Sequence, residues 1–244
     1  MLIAWTTLIL DTERGLPRDE LGYYLPGSTL REAIENAWIF YWIKKDKALE
    51  KSLRKHLLGL EDKAAFLQAG PSVRERVLER YPQVRELEIP ERIELPAEGL
   101  RRRHVELFDP AAGRVVEDRE LMSFRGVIGE VAIDSPYWSK IKTALLSYAR
   151  ALAEYEHKEL KETYLAESCA EIQNRIANEW EATLRLGCWS PAPHGGELFF
   201  FWRFPELRHG LKDRYGVELL PETFYIISGD RELLGWSEYR SMPS

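Results

Sequence analysis

The chain has 244 residues, 45% of them apolar and 30% charged, with a formal net charge of −6. This is the composition of a globular chain long enough to bury a core without disulfide staples. The negative total excludes nucleic-acid binding by bulk charge, so any basic surface must be local.

The apolar, β-branched run from Leu2 to Leu10 predicts a strand. Asp11 and Glu13 close it too early for a membrane span, and no basic leader or small-residue cleavage site accompanies it. Cys169 and Cys188 show neither metal nor disulfide spacing, which fits a reducing compartment. The expectation is a cytoplasmic protein with no membrane partner. Asp11 to Gly22 reads as an acidic loop. Thr29 with Glu32 three residues later forms a capping box, opening a helix with an apolar face of Leu30, Ala33, Ile34, Ala37, Trp38, Tyr41 and Trp42. The helical pattern breaks near Asp46, resumes through "KALEKSLRKHLLGLEDKAAFL" and ends in "PSVRERVLERY". The stretch 46–98 reads as a helical insertion.

From Arg85 the period changes. "RELEIPERIEL", interrupted by Pro90, predicts an edge strand or two short pieces. "RRRHVELFDPAAGRVVEDRELMSFRGVIGEVAID" predicts strands joined by a turn at Asp109–Gly113, with a bulge at Gly126 or Gly129. Pro136 to about Trp180 is helical, with a bend near "EHKELKE". A strand "ATLRL", a loop "GCWSPAPHGG", an apolar tract "ELFFFWRF" and the strands "ETFYIIS" and "LLGWSEYR" complete the chain. The order predicts an α+β fold, a ferredoxin-like β-α-β-β-α-β core carrying the helical insertion.

Two glycine-bearing turns carry the chemistry. Pro26, Gly27, Ser28 and Thr29 stand at a helix N-terminus, where unpaired N–H groups and the dipole favour a phosphate, with Arg31 in the first turn. The simpler reading is a capped helix alone. In the second turn, Gly187, Gly195 and Gly196 allow close backbone approach, Arg185 offers a cation, and Trp189 and His194 offer rings for stacking. The simpler reading there is a surface loop. The run "LRRRH" could track a phosphate backbone and the helix segment "KSLRKH" could face RNA, but the simpler reading of each is a solvated face. Trp38, Tyr41 and Trp42 read as core. "LFFFWRF" is too apolar for an exposed strand and is either central in a sheet or a subunit contact.

Taken together, "LPGSTLREAIENAW", "ATLRLGCWS", "MSFRGVIGEVAID" and "LLPETFYIISGDRELLGWSEY" resemble the motifs of the RAMP superfamily of CRISPR-associated proteins. They are most like the type III-A effector subunit that caps the guide-RNA 3′ end. Arg31 and Glu32 stand where relatives carry Lys-Gly, and Cys188 and two prolines interrupt the Gly-rich segment. The resemblance implies one RAMP-like domain over 1–244, with an RNA-recognition-motif-like sheet that contacts guide RNA. It implies a role in antiviral defence, with guide (CRISPR) RNA and the other subunits of a type III effector complex as partners. The implied RNA-binding set is Gly27, Ser28, Thr29, Arg31, Arg185, Gly187, Trp189, Gly195 and Gly196. The reading adopted is a non-catalytic subunit without cofactor or metal, since no HExxH, clustered Cys/His or nucleophile elbow occurs. The alternative is an endoribonuclease cutting guide precursor or target RNA. It would use His194 (or His104) as acid/base, or Asp11 (or Asp19) in the loop ahead of the Gly-Ser turn.

Overall fold

In a computed structural model, the described residues are 2–11, 13–128, 131, 133–187, 196–216, 222–229 and 231–240. The chain is α+β, and its strands pair antiparallel. Strand β1 (Leu2–Trp5) is followed by the short β2 (Arg18–Asp19) and by β3 (Gly22–Pro26), which runs directly into helix α1 (Gly27–Lys45). Helices α2 (Lys47–Leu58), α3 (Lys63–Leu67) and α4 (Ala69–Arg80) come next, then β4 (Arg92–Glu94). The long strands β5 (Leu100–Asp109) and β6 (Arg114–Phe124) lead to β7 (Val127–Ile128) and helices α5 (Trp138–Leu160) and α6 (Ala166–Asn178). The chain then passes through β8 (Ala182–Arg185), α7 (Pro205–Tyr215), β9 (Phe224–Ile227), β10 (Glu232–Leu233) and β11 (Trp236–Arg240).

Local chemistry explains most boundaries. Asp46 ends α1 and caps α2, its carboxylate accepting from the N–H groups of Ala48 and Leu49 at 3.0 Å each. Asp109 accepts from the Ala112 N–H at 3.0 Å and sets the β5–β6 turn. The Thr163 hydroxyl donates to the Leu160 carbonyl at 2.7 Å and accepts from the Leu165 N–H at 3.1 Å, separating α5 from α6.

Strand pairing follows the order β7-β1-β11-β8 in one sheet and β10-β9-β5-β6 in a second, with β2-β3-β4 apart. Leu8 and Phe124 exchange backbone hydrogen bonds at 2.8 and 3.1 Å, so the line of β6 and β7 runs beside the N-terminal strand and joins the first two sheets. Reading outward, β11, β1, the β7/β6 line and β5 are successive neighbours. Helices α1 and α5 pack together and against β8. α1 is buried on more than one face from Ile34 to Phe40, and Trp38 donates its indole N–H to the Tyr81 carbonyl at 2.9 Å. This places the 46–98 helices against α1, within one continuous apolar core.

Two expectations change, and one unforeseen helix appears. Thr29 is not a cap: α1 begins at Gly27, with extended Pro26 at the N-cap and no capping side chain. The β3 strand feeds the helix without a break, so the hydroxyls fall inside the first turn. The aromatic tract is not a strand or an exposed contact. Phe199–Arg203 is a 3-10 turn with Phe199 buried against Phe40, Tyr148 and Tyr155, Phe200 against Phe40, and Phe201 against Phe200 and Phe204. So short an apolar run has no period to read, and its rings find partners on every side of a three-residue turn. The polar segment after it is helix α7, with Pro205 in the first turn and Gly216 in the left-handed conformation after the last.

A buried ion pair fastens helix to sheet. Glu156 of α5 meets the Arg185 guanidinium of β8 at 2.7 Å and accepts the Trp236 indole N–H of β11 at 2.9 Å. Arg185 also lies 4.8 Å above the Trp236 ring, its direct cross-strand neighbour. Burial pushes Arg185 down to about 10 and Glu156 up, and their mutual attraction opposes both shifts. Arg185→Met leaves a carboxylate stranded in the core and is expected to cost about 3–5 kcal/mol. Adding Glu156→Leu should recover much of that loss, because the charge is then gone. Urea unfolding midpoints of the two variants check this order.

Candidate nucleic-acid interface

The Pro26–Gly27 turn is held by backbone. The Gly27 N–H donates to the Glu91 carbonyl at 2.8 Å, and its Cα sits so close to the Pro90 carbonyl that any Cβ would overlap that oxygen. Glycine is therefore required by proximity. Ser28 is exposed and Thr29 half-buried. Their N–H groups lie in the first turn, where no helical carbonyl stands four residues back to receive them. Arg31 is half-buried and donates from Nη2 to the Leu87 carbonyl at 2.7 Å.

The second turn leaves β8 at Gly187, whose φ of +73° is left-handed and whose Cα lies against the Ile9 carbonyl. Cys188, Trp189, His194 and Gly195 lie outside the described residues. The chain returns at Gly196, where an added Cβ would fall 2.9 Å from the Tyr148 hydroxyl and 3.2 Å from the Asn36 amide. Asn36 is nine residues along α1 from Gly27, about 13 Å at the helical rise. The return of the Gly-rich loop and the Gly-Ser-Thr turn are thus both seated on α1. Gly187 is seated instead on Ile9, four residues past the end of β1.

Arg185 does not join this group. Its side chain is sealed in the core with Glu156, so the cation expected to meet a phosphate is a structural one. The sequence conceals this because Arg185 stands two residues from a glycine turn, while its partner is in another element. The signal that does exist is Glu156 itself: Tyr148, Leu152, Glu156 and Leu160 recur every four residues, placing a carboxylate on a buried helical stripe.

The other polar groups near the turns are tied to protein. Arg74 bridges the buried carboxylates of Glu35 and Glu197, the latter at 3.5 Å, beside Gly196. Burial raises the Glu197 pKa, against the pull of Arg74. Asp11 accepts from the N–H groups of Glu13 and Arg14 at 2.7 and 2.8 Å, which hold its carboxyl below the usual range. Asp19 accepts from the Leu21 N–H and from Arg92. His104 is exposed on β5, with Nδ1 3.2 Å from Asp118. Among the described residues, no group of three or more His, Cys, Asp or Glu is placed to hold a metal, and no helix is long and apolar enough to cross a membrane.

Two substitutions test the turn. Gly27→Ala is expected to destabilise by about 1–3 kcal/mol through the Pro90 overlap. Thr29→Ala should stay within about 0.5 kcal/mol, where loss of a true cap would cost about 1. Thermal or denaturant unfolding of both variants gives the comparison.

No family model matches the chain. A protein of Aquifex aeolicus (strain VF5), described only as uncharacterized, is 28% identical over 240 residues, with 98% of each chain covered. Among solved structures, a chain of the Csm-crRNA-target RNA ternary complex of a type III-A CRISPR-Cas system superposes with a TM-score of 0.55 at 14% identity. That match covers 88% of this chain and 72% of the other. Csm5 of T. onnurineus gives the same score and identity, over 88% of this chain and 71% of its own. The resemblance read from the short motifs is therefore met by a likeness of fold: this chain is built like Csm5.

Proposed function

We infer that this chain is an RNA-binding subunit of a type III CRISPR effector complex, holding guide RNA near its 3′ end and contacting neighbouring subunits. The observation that carries the reading is the Csm5-like fold over 88% of the chain. The strand neighbours β11, β1, β7/β6 and β5 support a ferredoxin-like core in which β11, rather than the β8 that directly follows the second helix, takes the place beside β1. On this reading 1–244 is one RAMP-like domain, and 46–98 is an insertion within the crossover from β1 through α1 to β5.

The mechanism is independent of sequence. The free N–H groups of Ser28 and Thr29, aided by the α1 dipole, receive a guide phosphate. Arg31 spends one donor on Leu87 and keeps others for the same strand. The second loop, seated on protein at Gly187 and Gly196, approaches the RNA backbone at Gly195, and Trp189 stacks on a base. Arg185 contributes only by holding β8 in place.

Two measurements test this. The tagged chain, recovered from its native host, should carry CRISPR-derived guide RNA together with other effector subunits. Recovery of neither overturns the reading. Ser28→Asp places a carboxylate in the first turn, which suits the helix dipole but repels a phosphate. It should leave the unfolding midpoint unchanged or slightly raised while weakening RNA binding at least about fivefold. Unchanged affinity removes the turn from the contact set.

A further inference from the structure

The opposite end of α1 carries a different feature. Lys44 lies about 25 Å along the helix from Gly27. Beside it is a cleft of about 310 Å³ lined by Lys44, Thr143, Ser147, Arg150, Glu154 and Arg203. Thr143 also lines a neighbouring cleft of about 440 Å³, together with Tyr41, Tyr137, Ser139 and Lys140. These cations come from α1, α5 and the 3-10 turn at Phe199–Arg203, so no local sequence run announces them.

Cations outnumber carboxylates in the first cleft. Among the described residues, none of Lys44, Lys45, Lys140, Arg150 and Arg203 is in an ion pair, whereas Arg54, Arg74, Arg80 and Arg92 each have a carboxylate partner. Glu154 is the carboxylate in the cleft lining. Lys44 donates weakly to the Ser147 hydroxyl at 3.3 Å, and Lys44 and Arg203 share the Phe40 ring at 5.9 and 5.8 Å. Partial burial, then Arg203, Lys45 and Arg150, lower the Lys44 pKa against Glu154. Like charges gathered this closely repel one another, and a bound anion relieves that repulsion.

Rings accompany the cations. Lys140 lies 5.3 Å from the Trp42 ring centre and Lys45 5.8 Å from that of Tyr41. Tyr41 is backed by Trp38 and Trp42, and Tyr137 is exposed at the lip. Lys140 to Arg150 is about 15 Å of helix, the length of about four stacked nucleotides at ~3.4 Å each. Cations in line with the exposed Tyr137 and the half-buried Tyr41 suit a chain of phosphates that also carries flat bases.

We propose that the paired clefts along α5, from Tyr137 and Lys140 to Arg150 and Arg203, form a second binding track for single-stranded nucleic acid. Lys44, Arg150 and Arg203 hold its phosphates, and Tyr41 and Tyr137 stack on its bases. This track rests on its own residues and stands or falls apart from the Ser28 turn.

The test is fluorescence anisotropy with a labelled oligouridylate over a series of salt concentrations. The triple variant Lys44→Glu/Arg150→Glu/Arg203→Glu should weaken binding at least about tenfold and flatten the log K against log salt slope by about two. The neutral triple variant to Gln should act in the same direction with a smaller effect. Tyr137→Ala should lower affinity several-fold without changing the slope. All these side chains are exposed, so unfolding midpoints should match the wild type. Loss of binding in the triple variant but not in Ser28→Asp supports the track alone. Equal affinity and slope in wild type and triple variant overturn it, as does a wild type that binds no RNA. Complete displacement by pyrophosphate reassigns the cleft to a small polyphosphate, and displacement by polyglutamate at equal charge reassigns it to an acidic protein; either result overturns the proposal.

Discussion

The buried contact among Glu156, Arg185 and Trp236 is the constraint on which the placement of the rest depends. It ties the longest helix to the two strands at one side of the N-terminal sheet, at the point where the chain leaves for the Gly-rich loop. Gly187 follows two residues after the clamped arginine and backs onto Ile9. Gly235 precedes the clamped tryptophan, and its N–H donates to the Thr7 carbonyl at 2.8 Å. The loop therefore departs from a site that is fixed on three sides. A charge pair is a costly way to fasten a core, since two apolar residues could fill the space. Its geometry is directional, however, and directional contacts set the register in which β8 meets β11.

Much of the fold was legible because its signals are local. The long helices show their period, and the β5–β6 hairpin is announced by Asp109 and Gly113. Asp46 marks the α1–α2 break as a cap. What escaped was decided by neighbours distant in sequence. β3 goes unread between an acidic loop and a helix, because its partner β4 lies past three helices. The run of phenylalanines reads as a strand until Phe40, Tyr148 and Tyr155 are known to surround it. α7 was the avoidable omission, since proline in its first turn and glycine after its last are both written in the sequence.

The candidate site divides along the same line. Glycines flagged by their turns do mark close approach: Gly27 to the Pro90 backbone, Gly187 to the Ile9 backbone, and Gly196 to the side chains of Asn36 and Tyr148. What a turn cannot announce is which side chains remain available beside it. Arg185 has the residue type and sequence position of a phosphate ligand, yet the spacing of Tyr148, Leu152 and Glu156 already put a carboxylate inside the core that needed a cation. Charge balance in the interior takes precedence over proximity to a loop, because an unpaired buried carboxylate costs more than an exposed arginine contributes.

Helix α1 links the two regions proposed to receive phosphates. One end offers first-turn amides, and the other brings Lys44 and Lys45 to the residues of α5. Between them, Ile34 to Phe40 is buried on successive faces, and Trp38 and Trp42 are locked onto Tyr81, the latter stacked at 3.7 Å. A helix packed on so many sides has little freedom to shift along its axis, since interiors are close-packed. The roughly 25 Å between its ends is then a fixed distance, and it is longer than one phosphate-to-phosphate step by several-fold. A single strand engaging both ends must cross that span, whereas two separate strands need not. The rigidity of α1 thus converts a question about partners into one about the length of the shortest RNA that gains affinity from both ends.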